Sequence, residues 1–511
     1  MSKDSFVQVK VSNLSVQYPG GGEAVHDVSF AVYAGETLGI VGESGCGKST
    51  LAGALIGDVP GAAVISGSVV LCGPDGNGEE SVDLVTATAE ERRELWGRRM
   101  AMVYQSPHAA LNPCYPIGDQ IDEAVRRRPD LVTRTVRDRT LELLEQVRMP
   151  APAQIAQRYP HQLSGGQEQR AVIAMALAAS PDLLILDEPT SNLDVTTEAQ
   201  ILDLIQELKQ SVNAGIVFIT HNLAVIAQVA DRVGVMYAGE LFELGPVRDI
   251  FHRPSAPYAA GLLACIPRID AQRNGHRAVQ RRKLRLRTIP GSLPAPTGRP
   301  KGCSFAPRCP FARQRCLEQR PDLCPTAEAG HLARCFFSDE VRRVGWPNGR
   351  ERAARTTAPK EMEQPILVGR QLTKVYGRNT RKYWFAGPLM RNAVGAITDV
   401  SFELEPGETL GVVGESGCGK TTLVNCVSGL VRATSGSVAL AGEELAADVG
   451  HRPRGALRRM QMVFQDPDLS LNPQHTVAEI MDRAVEVLGN GSQEDRTQRV
   501  INLLKRVGLG E

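Results

Sequence analysis

The segment at residues 42–50 reads GESGCGKST, and the segment at residues 414–422 reads GESGCGKTT. Both fit the pattern G-x-x-x-x-G-K-[ST]. Each follows a short apolar run, at residues 38–41 and 410–413, that predicts a buried parallel strand leading into a helix. Glycines allow such a loop to curl so that successive backbone N–H groups point inward at a phosphate. The chain therefore contains two predicted phosphate-binding loops.

Both loops offer the same chemistry to a bound triphosphate. Lys48 or Lys420 is placed to reach the β- and γ-phosphates, and the next helix presents its positive end. Ser49 or Thr421 offers a hydroxyl to Mg²⁺, which prefers hard oxygen ligands. A chance Gly-rich turn is the alternative, and the second copy argues against it. The expected nucleotide-binding residues are Gly42, Glu43, Ser44, Gly45, Cys46, Gly47, Lys48, Ser49 and Thr50, and Gly414, Glu415, Ser416, Gly417, Cys418, Gly419, Lys420, Thr421 and Thr422.

Length and charge restrict the class of protein. A chain of 511 residues predicts about three or four domains, and a formal net charge of +1 gives no global field to attract nucleic acid or an anionic membrane. The first residues, MSKDSFVQVK, lack the apolar core of a signal peptide, and no run of 18 apolar residues occurs. Residues 171–179 are the longest apolar candidate and predict a buried soluble helix.

Three further apolar runs follow the first loop, and each predicts a strand that ends in polar residues. They are residues 102–105 ending in Gln105, residues 183–186 before Asp187 and Glu188, and residues 216–219 before Thr220 and His221. Strands that alternate with helices imply a parallel sheet, whose functional loops gather at the carboxyl ends of the strands. We therefore expect these polar residues to share one edge of the sheet with the phosphate loop.

The motifs between and after these strands identify a family. LSGGQ within YPHQLSGGQEQR, together with LLILDEP and the strand-terminal histidine, closely resembles ATP-binding-cassette (ABC) ATPases. QDPDLSLNP, RPSAPYAAGLLACIP and the Cys-rich GCSFAPRCPFARQRC resemble the fused tandem type that serves oligopeptide or dipeptide importers. The resemblance covers nearly the whole chain. It implies an α/β fold of P-loop ABC-type nucleotide-binding domains, each with a parallel sheet core and a helical subdomain, one complete and one partial, joined by a Cys-rich extension.

The resemblance also implies roles for single residues. Tyr18 would stack on adenine, Asp187 would hold Mg²⁺, and Glu188 would act as general base on the attacking water. Gln105 would contact Mg²⁺ and that water, and His221 would hydrogen-bond the γ-phosphate and Glu188. The alternatives are a surface or core tyrosine, a helix-capping acidic pair, an ordinary loop amide and a structural histidine.

The LSGGQ segment acts between cassettes in the resembling family. Backbone donors and a hydroxyl at the start of a helix would contact the γ-phosphate of ATP held by another cassette. The resemblance therefore implies pairing of cassettes around ATP, with hydrolysis releasing the pair. The residues concerned are Leu163, Ser164, Gly165, Gly166 and Gln167, with Asp194 in the following D-loop.

The second half repeats only part of this set. Gln465 corresponds to Gln105, and Tyr376 is the expected second adenine platform, with Tyr383 or Trp384 as competitors. The chain ends at Glu511, before any counterpart of LSGGQ, Asp187, Glu188 or His221. Three explanations remain open: an incomplete sequence, which we favour, a natural degenerate protein, or two copies paired through their first cassettes. The second half is expected to be unstable or aggregation-prone as written.

Five cysteines lie close together between the two cassettes. Disulfides are disfavoured in the cytosol, so this clustering suggests metal ligation, although the spacings differ from the C-x2-C pairs of structural zinc sites. The resemblance assigns Cys303, Cys309, Cys316 and Cys335 to a possible [4Fe-4S] cluster and leaves Cys324 as the extra cysteine. Zinc, or reduced thiols without a metal, are the alternatives.

The expected domains are a first cassette at 1–268, the Cys-rich extension at 269–340, a polar linker at 341–364 and a partial second cassette at 365–511. A basic run, residues 281–287, predicts a linker or edge strand rather than a nucleic-acid site, because no aromatic residues interleave for base stacking.

The resemblance implies the energy-coupling subunit of a binding-protein-dependent importer, most similar to those for di- and oligopeptides. Such a protein hydrolyses ATP to ADP and phosphate at the cytoplasmic face of the membrane. Its partners would be two permease subunits and an extracytoplasmic solute-binding protein, with no nucleic acid. Importers of nickel, glutathione or opine-like solutes remain open. A soluble twin-cassette factor acting on ribosomes and an inactive truncated remnant are the alternatives from other classes.

Overall fold

The chain divides into two compact units in the computed structural model, Met1–Thr356 and Thr357–Glu511. Each unit is described by itself. The structure describes residues 6–61, 63–73, 80–131, 135–191, 193–211, 213–266, 287–347, 364–377, 394–465, 470–488 and 493–509. The predicted basic run at 281–287, except for its last residue, and the candidate platforms Tyr383 and Trp384 lie outside these residues.

The strands of the first unit form two sheets. The smaller sheet is antiparallel with the strand order β2-β1-β4-β5, and the larger sheet has the order β11-β12-β10-β9-β3-β8-β7-β6. The strands are β1 (Val7–Gln17), β2 (Glu23–Tyr33), β3 (Thr37–Val41), β4 (Val64–Leu71), β5 (Val82–Asp83), β6 (Met100–Val103), β7 (Leu183–Asp187), β8 (Gly215–Thr220), β9 (Arg232–Tyr237), β10 (Glu240–Pro246), β11 (Cys324–Pro325) and β12 (Leu332–Ala333).

The larger sheet is mixed. Strands β9, β3, β8, β7 and β6 pair in parallel, and β10, β12 and β11 add antiparallel strands at one edge. Every residue of β3, β7 and β8 is buried, as expected for parallel strands covered on both faces. Alternate residues of these strands enter two separate apolar clusters: Leu184 packs on one side of the sheet and Ile185 on the other.

The helices pack on this sheet and also form a helical subdomain between β6 and β7. Helices α3 to α7 contact one another there, and α7 includes most of the predicted buried helix at 171–179. The helices are α1 (Lys48–Ile56), α2 (Ala89–Leu95), α3 (Pro107–Ala110), α4 (Ile117–Val125), α5 (Val136–Gln146), α6 (Pro152–Ile155), α7 (Gly165–Leu177), α8 (Val195–Ser211), α9 (Leu223–Val229), α10 (Val247–His252), α11 (Pro257–Cys265), α12 (Gln314–Glu318) and α13 (Ser338–Val344).

The Cys-rich extension is built into the first unit. Its strand β12 pairs with β10 of the cassette, with Leu332 opposite Leu244 and Ala333 opposite Glu243. Helix α13 occupies the start of the segment expected to be a polar linker, and its Val341 is fully buried. The start of the predicted linker therefore carries an amphipathic turn of helix that buries an apolar side chain.

The second unit contains a four-stranded antiparallel sheet with the order β14-β13-β15-β16, and a small apolar core that includes Leu372, Ile397 and Val438. Its strands are β13 (Leu367–Tyr376), β14 (Val394–Leu404), β15 (Ser435–Leu440) and β16 (Glu443–Glu444). Its helices are α14 (Lys420–Ser428), α15 (Arg454–Arg459), α16 (Val477–Leu488) and α17 (Gln493–Arg506).

One strand prediction fails in the second unit. Residues 410–413, expected to form a buried parallel strand, have no strand conformation, and Val413 is 92% exposed. Residues 462–464 before Gln465 are likewise outside any strand. In the first unit, β3 is flanked by β8 and β9, whereas the described residues of the second unit provide no parallel neighbour for 410–413. A strand without partners leaves its backbone groups unpaired, so an apolar run alone does not form one.

No helix within the described ranges combines the length and the apolar character needed to cross a bilayer.

Candidate nucleotide-binding and hydrolysis site

The first phosphate loop connects the end of β3 to the start of α1. A Cβ atom at Gly42 would lie 2.1 Å from the carbonyl oxygen of Met236, and one at Gly47 would lie 2.3 Å from that of Ala24. Gly47 also has φ of 103°, in the left-handed region that favours glycine. The backbone of the loop therefore passes so close to its neighbours that these two positions exclude any side chain.

The ammonium group of Lys48 is held over the loop. The side chain is buried, and Nζ donates hydrogen bonds to the carbonyl oxygens of Gly42 at 2.9 Å and Glu43 at 3.0 Å. Burial raises the pKa of the neighbouring Cys46 thiol to about 11, so this loop cysteine is a neutral thiol at physiological pH. The loop thus presents one fixed positive charge at the N-terminus of α1.

Asp187 ends β7 beside this charge. Its side chain is buried, and its Oδ1 atom has no hydrogen-bond partner within the described part of the chain. Burial raises the pKa of Asp187, while a hydrogen bond from the Ser49 side chain and the charge of Lys48 oppose the increase. An unpartnered carboxylate oxygen next to a hydroxyl fits a divalent cation with hard oxygen ligands, so Ser49 and Asp187 suit Mg²⁺.

Glu188 connects the ends of three parallel strands. Its Oε2 atom lies 3.2 Å from Nε2 of Gln105, which follows β6, and its Oε1 atom lies 3.1 Å from Nδ1 of His221, which follows β8. Its backbone N–H donates to the carbonyl oxygen of Ile219 at 2.9 Å. The structure therefore brings together three of the predicted site residues, which are far apart in the sequence.

The backbone of Glu188 is strained in a way that orients the carboxylate. Its φ of 48° lies in the left-handed region, which a non-glycine residue rarely adopts. The side chain is mostly buried, whereas the His221 ring is 63% exposed. The carboxylate is therefore fixed by its neighbours, while the imidazole faces outward.

Tyr18 directly follows β1 and is half-buried next to the loop. Its hydroxyl lies 3.3 Å from Oγ1 of Thr50, in the first turn of α1. The structure thus places the predicted adenine platform at the loop, with its hydroxyl group on the helix that follows the phosphates.

The LSGGQ segment forms the N-terminus of α7. Ser164 is the N-cap: its Oγ accepts from the backbone N–H of Gln167, and the Gln167 side chain accepts from the N–H of Ser164. Ser164 and Gly165 are exposed, so the helix N-terminus is open to solvent. These hydrogen bonds are internal to the cap, and none reaches the phosphate loop of the same unit.

Asp194 caps the next helix. Its Oδ1 atom accepts from the backbone N–H of Thr197 at 3.1 Å, and this bond is the main reason that the pKa of Asp194 is lowered. In the structure, this hydrogen bond from Thr197 to Asp194 orders the start of α8.

The second loop has the same local conformation but is open to solvent. Gly419 has φ of 100°, and Lys420 donates to the carbonyl oxygens of Gly414 and Glu415, both at 2.6 Å. Tyr376 ends β13 and is partly exposed, with Nζ of Lys374 4.9 Å from its ring centroid. Gln465 is exposed.

Four of the five clustered cysteines line one cavity. Its volume is about 20 Å³, room for about one water molecule, and its walls are mainly apolar. Burial raises the thiol pKa of Cys303 to about 11 and of Cys309 and Cys335 to about 12. Cys316 also lines the cavity, whereas Cys324 is exposed. The four cysteines that the cavity brings together are those that the resemblance selected.

A single metal ion does not fit the cysteines as they stand. Within the described ranges, no group of three or more His, Cys, Asp or Glu side chains has a geometry suited to a metal ion. Zinc would require thiolates at about 2.3 Å from one centre, so the structure does not favour the zinc alternative. Four cysteines are also the ligand set of an iron–sulfur cluster, but a cavity with room for about one water molecule is too small to hold such a cluster without movement of its lining.

Sequence reasoning missed two contacts to the phosphate loop, from Arg308 and from Tyr258. Both guanidinium Nη atoms of Arg308 donate to the Glu43 carboxylate, at 2.8 and 3.0 Å, and the backbone N–H of Glu43 donates to the hydroxyl of Tyr258 at 3.0 Å. Arg308 lies in the Cys-rich extension and Tyr258 in α11. No sequence signal connects these residues to a loop more than two hundred positions earlier, because side-chain contacts over that separation follow only from the tertiary fold.

Comparisons with known proteins agree with this geometry. The family model described as ABC transporter matches residues 25–191 and 397–511, and the model described as oligopeptide/dipeptide transporter, C-terminal region, matches residues 242–316. The chain belongs to the ABC transporter family. The predicted α/β fold of ABC cassettes, the second of them partial, is confirmed.

Two relatives and one solved structure illustrate the similarity. The oligopeptide transport ATP-binding protein OppD of Mycobacterium tuberculosis is 39% identical over 511 residues, which cover 98% of this chain and 79% of the relative. The glutathione import ATP-binding protein GsiA of Escherichia coli is 35% identical over 491 residues, covering 95% and 68%. A dimeric structure of the ATP-binding cassette MJ0796 bound to ADP and Pi is 25% identical, with a TM-score of 0.41, covering 47% of this chain and 99% of that one.

Family membership gives the nucleotide and the reaction. The protein is an ABC-type ATPase, which binds ATP with Mg²⁺ and hydrolyses it, as the phosphate loops predicted.

Proposed function

We propose that the protein is the energy-coupling ATPase of a binding-protein-dependent importer for di- and oligopeptides. It works at the cytoplasmic face of the membrane with two permease subunits and an extracytoplasmic solute-binding protein. The observation that carries the proposal is the match of residues 242–316 to the C-terminal region of oligopeptide/dipeptide transporters, a range that runs from β10 of the cassette into the Cys-rich extension. Glutathione import is the second candidate, supported by the similarity to GsiA.

Hydrolysis in the first cassette proceeds through the residues that meet at the sheet edge. Lys48 and the N-terminus of α1 hold the β- and γ-phosphates. Glu188 takes the proton from the attacking water, and its hydrogen bonds to Gln105 and His221 keep the carboxylate aimed. Ser49 and Asp187 would hold Mg²⁺, which neutralises charge on the phosphate oxygens.

Ser164, Gly165 and Gly166 complete the site of a paired cassette rather than their own. The exposed position of Ser164 and Gly165 at the N-terminus of the 13-residue helix α7 supports this role, because the start of the helix is open to a γ-phosphate on another cassette. ATP therefore joins two cassettes, and hydrolysis lets them separate. The separation is the movement that drives the permeases.

In this proposal the chain contains two cassettes, an extension and a connecting segment. Residues 1–268 form the first cassette and 269–340 the Cys-rich extension, which is integrated with the cassette. Residues 341–364 connect this extension to the second cassette, residues 365–511, whose Tyr376, Lys420 and Gln465 take the nucleotide.

Cys303, Cys309, Cys316 and Cys335 hold a [4Fe-4S] cluster in this proposal. The convergence of the four thiols on one cavity supports it, as does the exposed position of Cys324. Anaerobically purified protein should contain stoichiometric iron and show the visible absorbance of such a cluster. Cys309→Ser should lose both signals and Cys324→Ser should keep them; colourless, iron-free wild-type protein would contradict the assignment.

Uptake in cells tests the function. In a strain that lacks the chromosomal copy of this protein but keeps its permeases, the wild-type chain should restore uptake of a labelled oligopeptide, and Glu188→Gln should not. Glu90→Gln, at an exposed position of α2, is the matched control and should restore uptake fully. Competition by unlabelled glutathione but not by peptides would instead favour glutathione import, and equal uptake with Glu188→Gln would contradict energy coupling.

A further inference from the structure

Arg308 joins the Cys-rich extension to the phosphate loop of the first cassette. Its Nη1 atom lies 2.8 Å from Oε2 of Glu43 and its Nη2 atom lies 3.0 Å from Oε1. Glu43 is the second residue of the loop, directly before Ser44. A bidentate pair between a guanidinium and a carboxylate fixes both the distance and the plane of the two groups, so the loop is restrained from outside the nucleotide-binding cassette.

The guanidinium itself is held rigidly. Its side chain is 7% exposed, Nε donates to the carbonyl oxygen of Pro290 at 2.8 Å, and Nη1 lies 3.4 Å from the hydroxyl of Tyr237. Its carbon Cζ also lies 5.6 Å from the centroid of the Tyr237 ring. Because Arg308 is buried and its other donors are fixed by Pro290 and Tyr237, it restrains the phosphate loop and does not move with it.

The same short segment lines the cysteine cavity. Arg308 ends a 3₁₀ turn, Ala306–Arg308, that is followed at once by Cys309, and its N–H donates to the carbonyl oxygen of Phe305 at 3.0 Å. Phe305, Ala306 and Cys309 all line the cavity. The turn that carries Arg308 and the lining of the cysteine cavity are therefore one continuous segment.

We propose that Arg308 is a positioning residue through which the state of the four-cysteine cavity controls ATP binding by the first phosphate loop. When the four cysteines keep the arrangement seen here, the bridge Arg308–Glu43 holds the phosphate loop in the position that accepts the triphosphate. When modification of the cysteines changes that arrangement, the bridge breaks and the loop loses this restraint. This rests on the first loop binding ATP, but it does not depend on which group the cysteines hold.

Nucleotide affinity tests the bridge. In full-length protein carrying Lys420→Ala to silence the second loop, Arg308→Ala should raise the Kd for a non-hydrolysable ATP analogue with Mg²⁺ by about five- to thirtyfold. Arg308→Lys should recover only part of the affinity, because an ammonium cannot form the bidentate pair. Arg343→Ala, at an exposed arginine on α13 of the same unit, is the matched control and should leave the Kd unchanged.

A double-mutant cycle separates positioning from a general loss of structure. Glu43→Gln alone should weaken binding, and Arg308→Ala combined with Glu43→Gln should be no weaker than Arg308→Ala alone, since both remove one interaction. Additive losses, or wild-type affinity in Arg308→Ala with an unchanged melting temperature, would overturn the proposal. Absence of ATP binding in the full-length protein that carries only Lys420→Ala would instead overturn the proposed function.

Coupling must also run in the opposite direction, because linked binding equilibria are reciprocal. In iron-free protein, the ATP analogue should slow iodoacetamide labelling of Cys309 severalfold, as read by mass spectrometry of each cysteine, and Arg308→Lys should abolish the difference. Cys324, exposed and outside the cavity, is the internal control. Equal nucleotide protection in wild-type protein and Arg308→Lys would contradict transmission through this residue.

Discussion

Glu188 combines an unfavourable backbone conformation with two side-chain contacts at its carboxylate. The left-handed φ of 48° costs conformational energy, and the hydrogen bonds to Gln105 and His221 hold the carboxylate in place. A carboxylate that is already oriented needs no reorganisation before it accepts a proton from water. The geometry therefore favours a general base rather than a phosphate ligand.

Replacing this base should separate binding from turnover. Glu188→Gln keeps the size of the side chain and both hydrogen-bonding neighbours but cannot accept the proton, so kcat should fall by at least about 100-fold. The phosphate loop is untouched, so ATP affinity measured by fluorescence titration should stay within about twofold. Glu90→Gln controls for the loss of one acidic residue, and an unchanged kcat in Glu188→Gln would refute the role.

Asp187 predicts a pH-dependent stability difference. Its folded-state pKa is raised by burial, so in the unliganded protein the ionised form is unfavourable relative to the unfolded chain. This destabilisation is fully present above the folded pKa and disappears as the pH falls below the unfolded value. Without nucleotide and Mg²⁺, Asp187→Asn should therefore melt above wild-type protein at pH 8, with a difference that shrinks as the pH is lowered towards 4. A constant difference across this range would contradict it.

The site residues could be predicted because motifs specify them at strand ends, where a parallel sheet brings them together. Gln105, Glu188 and His221 follow β6, β7 and β8, and an apolar run followed by a polar residue indicates each position. Arg308 could not be found in this way. It lies in a loop segment whose partner, Glu43, is determined by the packing of the extension and by no local periodicity.

At the scale of elements, the junction between β10 and the extension includes one buried ion-pairing contact, between Glu243 and His331. Glu243 and His331 are fully buried, with Oε1 of Glu243 2.6 Å from Nε2 of His331. The carboxylate also accepts from the backbone N–H groups of Ser255 and Ala256, just before α11. Burial raises the pKa of Glu243 while these hydrogen bonds oppose the increase, so the carboxyl group ties three elements together.

Removing the histidine should loosen this junction. His331→Ala leaves a buried carboxyl group without one partner, which costs about 1 to 3 kcal/mol. We expect a lower melting temperature for the first unit and faster proteolytic release of the extension, followed by gel electrophoresis. His252→Ala, at an exposed position at the end of α10, is the matched control. A melting temperature equal to that of wild-type protein would show that the pair does not hold the junction.

The sequence predicted some elements and not others for identifiable reasons. Strands such as β7, with five consecutive buried residues, are long apolar runs that the sequence displays directly. Strands β11 and β12 have two residues each and arise only where the extension meets β10. Residues 410–413 are apolar like β3 but do not form a strand, because a parallel strand also requires neighbouring strands to pair with.

At the scale of the whole molecule, the two units differ in how well they cover apolar residues. Among the described residues, the first unit buries two large clusters on the faces of its main sheet, whereas the second buries one small cluster. Val413 and Val463 of the second unit are 92% and 96% exposed. Buried apolar area is the main source of stability, so the first unit should be the more stable of the two.

This difference in stability should appear as two unfolding transitions in the full-length chain. The second unit should unfold at the lower temperature and should be cut first by protease.

A ligand that binds only the folded state adds about 2.7 kcal/mol to its stability at 100 times its Kd. A non-hydrolysable ATP analogue with Mg²⁺ should therefore raise the transition temperature of the first unit. Lys48→Ala removes the buried ammonium that holds the phosphates, and this increase should then disappear. Lys420→Ala is the matched control and should retain it, because its exposed loop belongs to the other unit. Calorimetry combined with mass spectrometry of the protease fragments would assign each transition. A single transition shared by both units, or loss of the increase in Lys420→Ala but not in Lys48→Ala, would contradict this account of their stability.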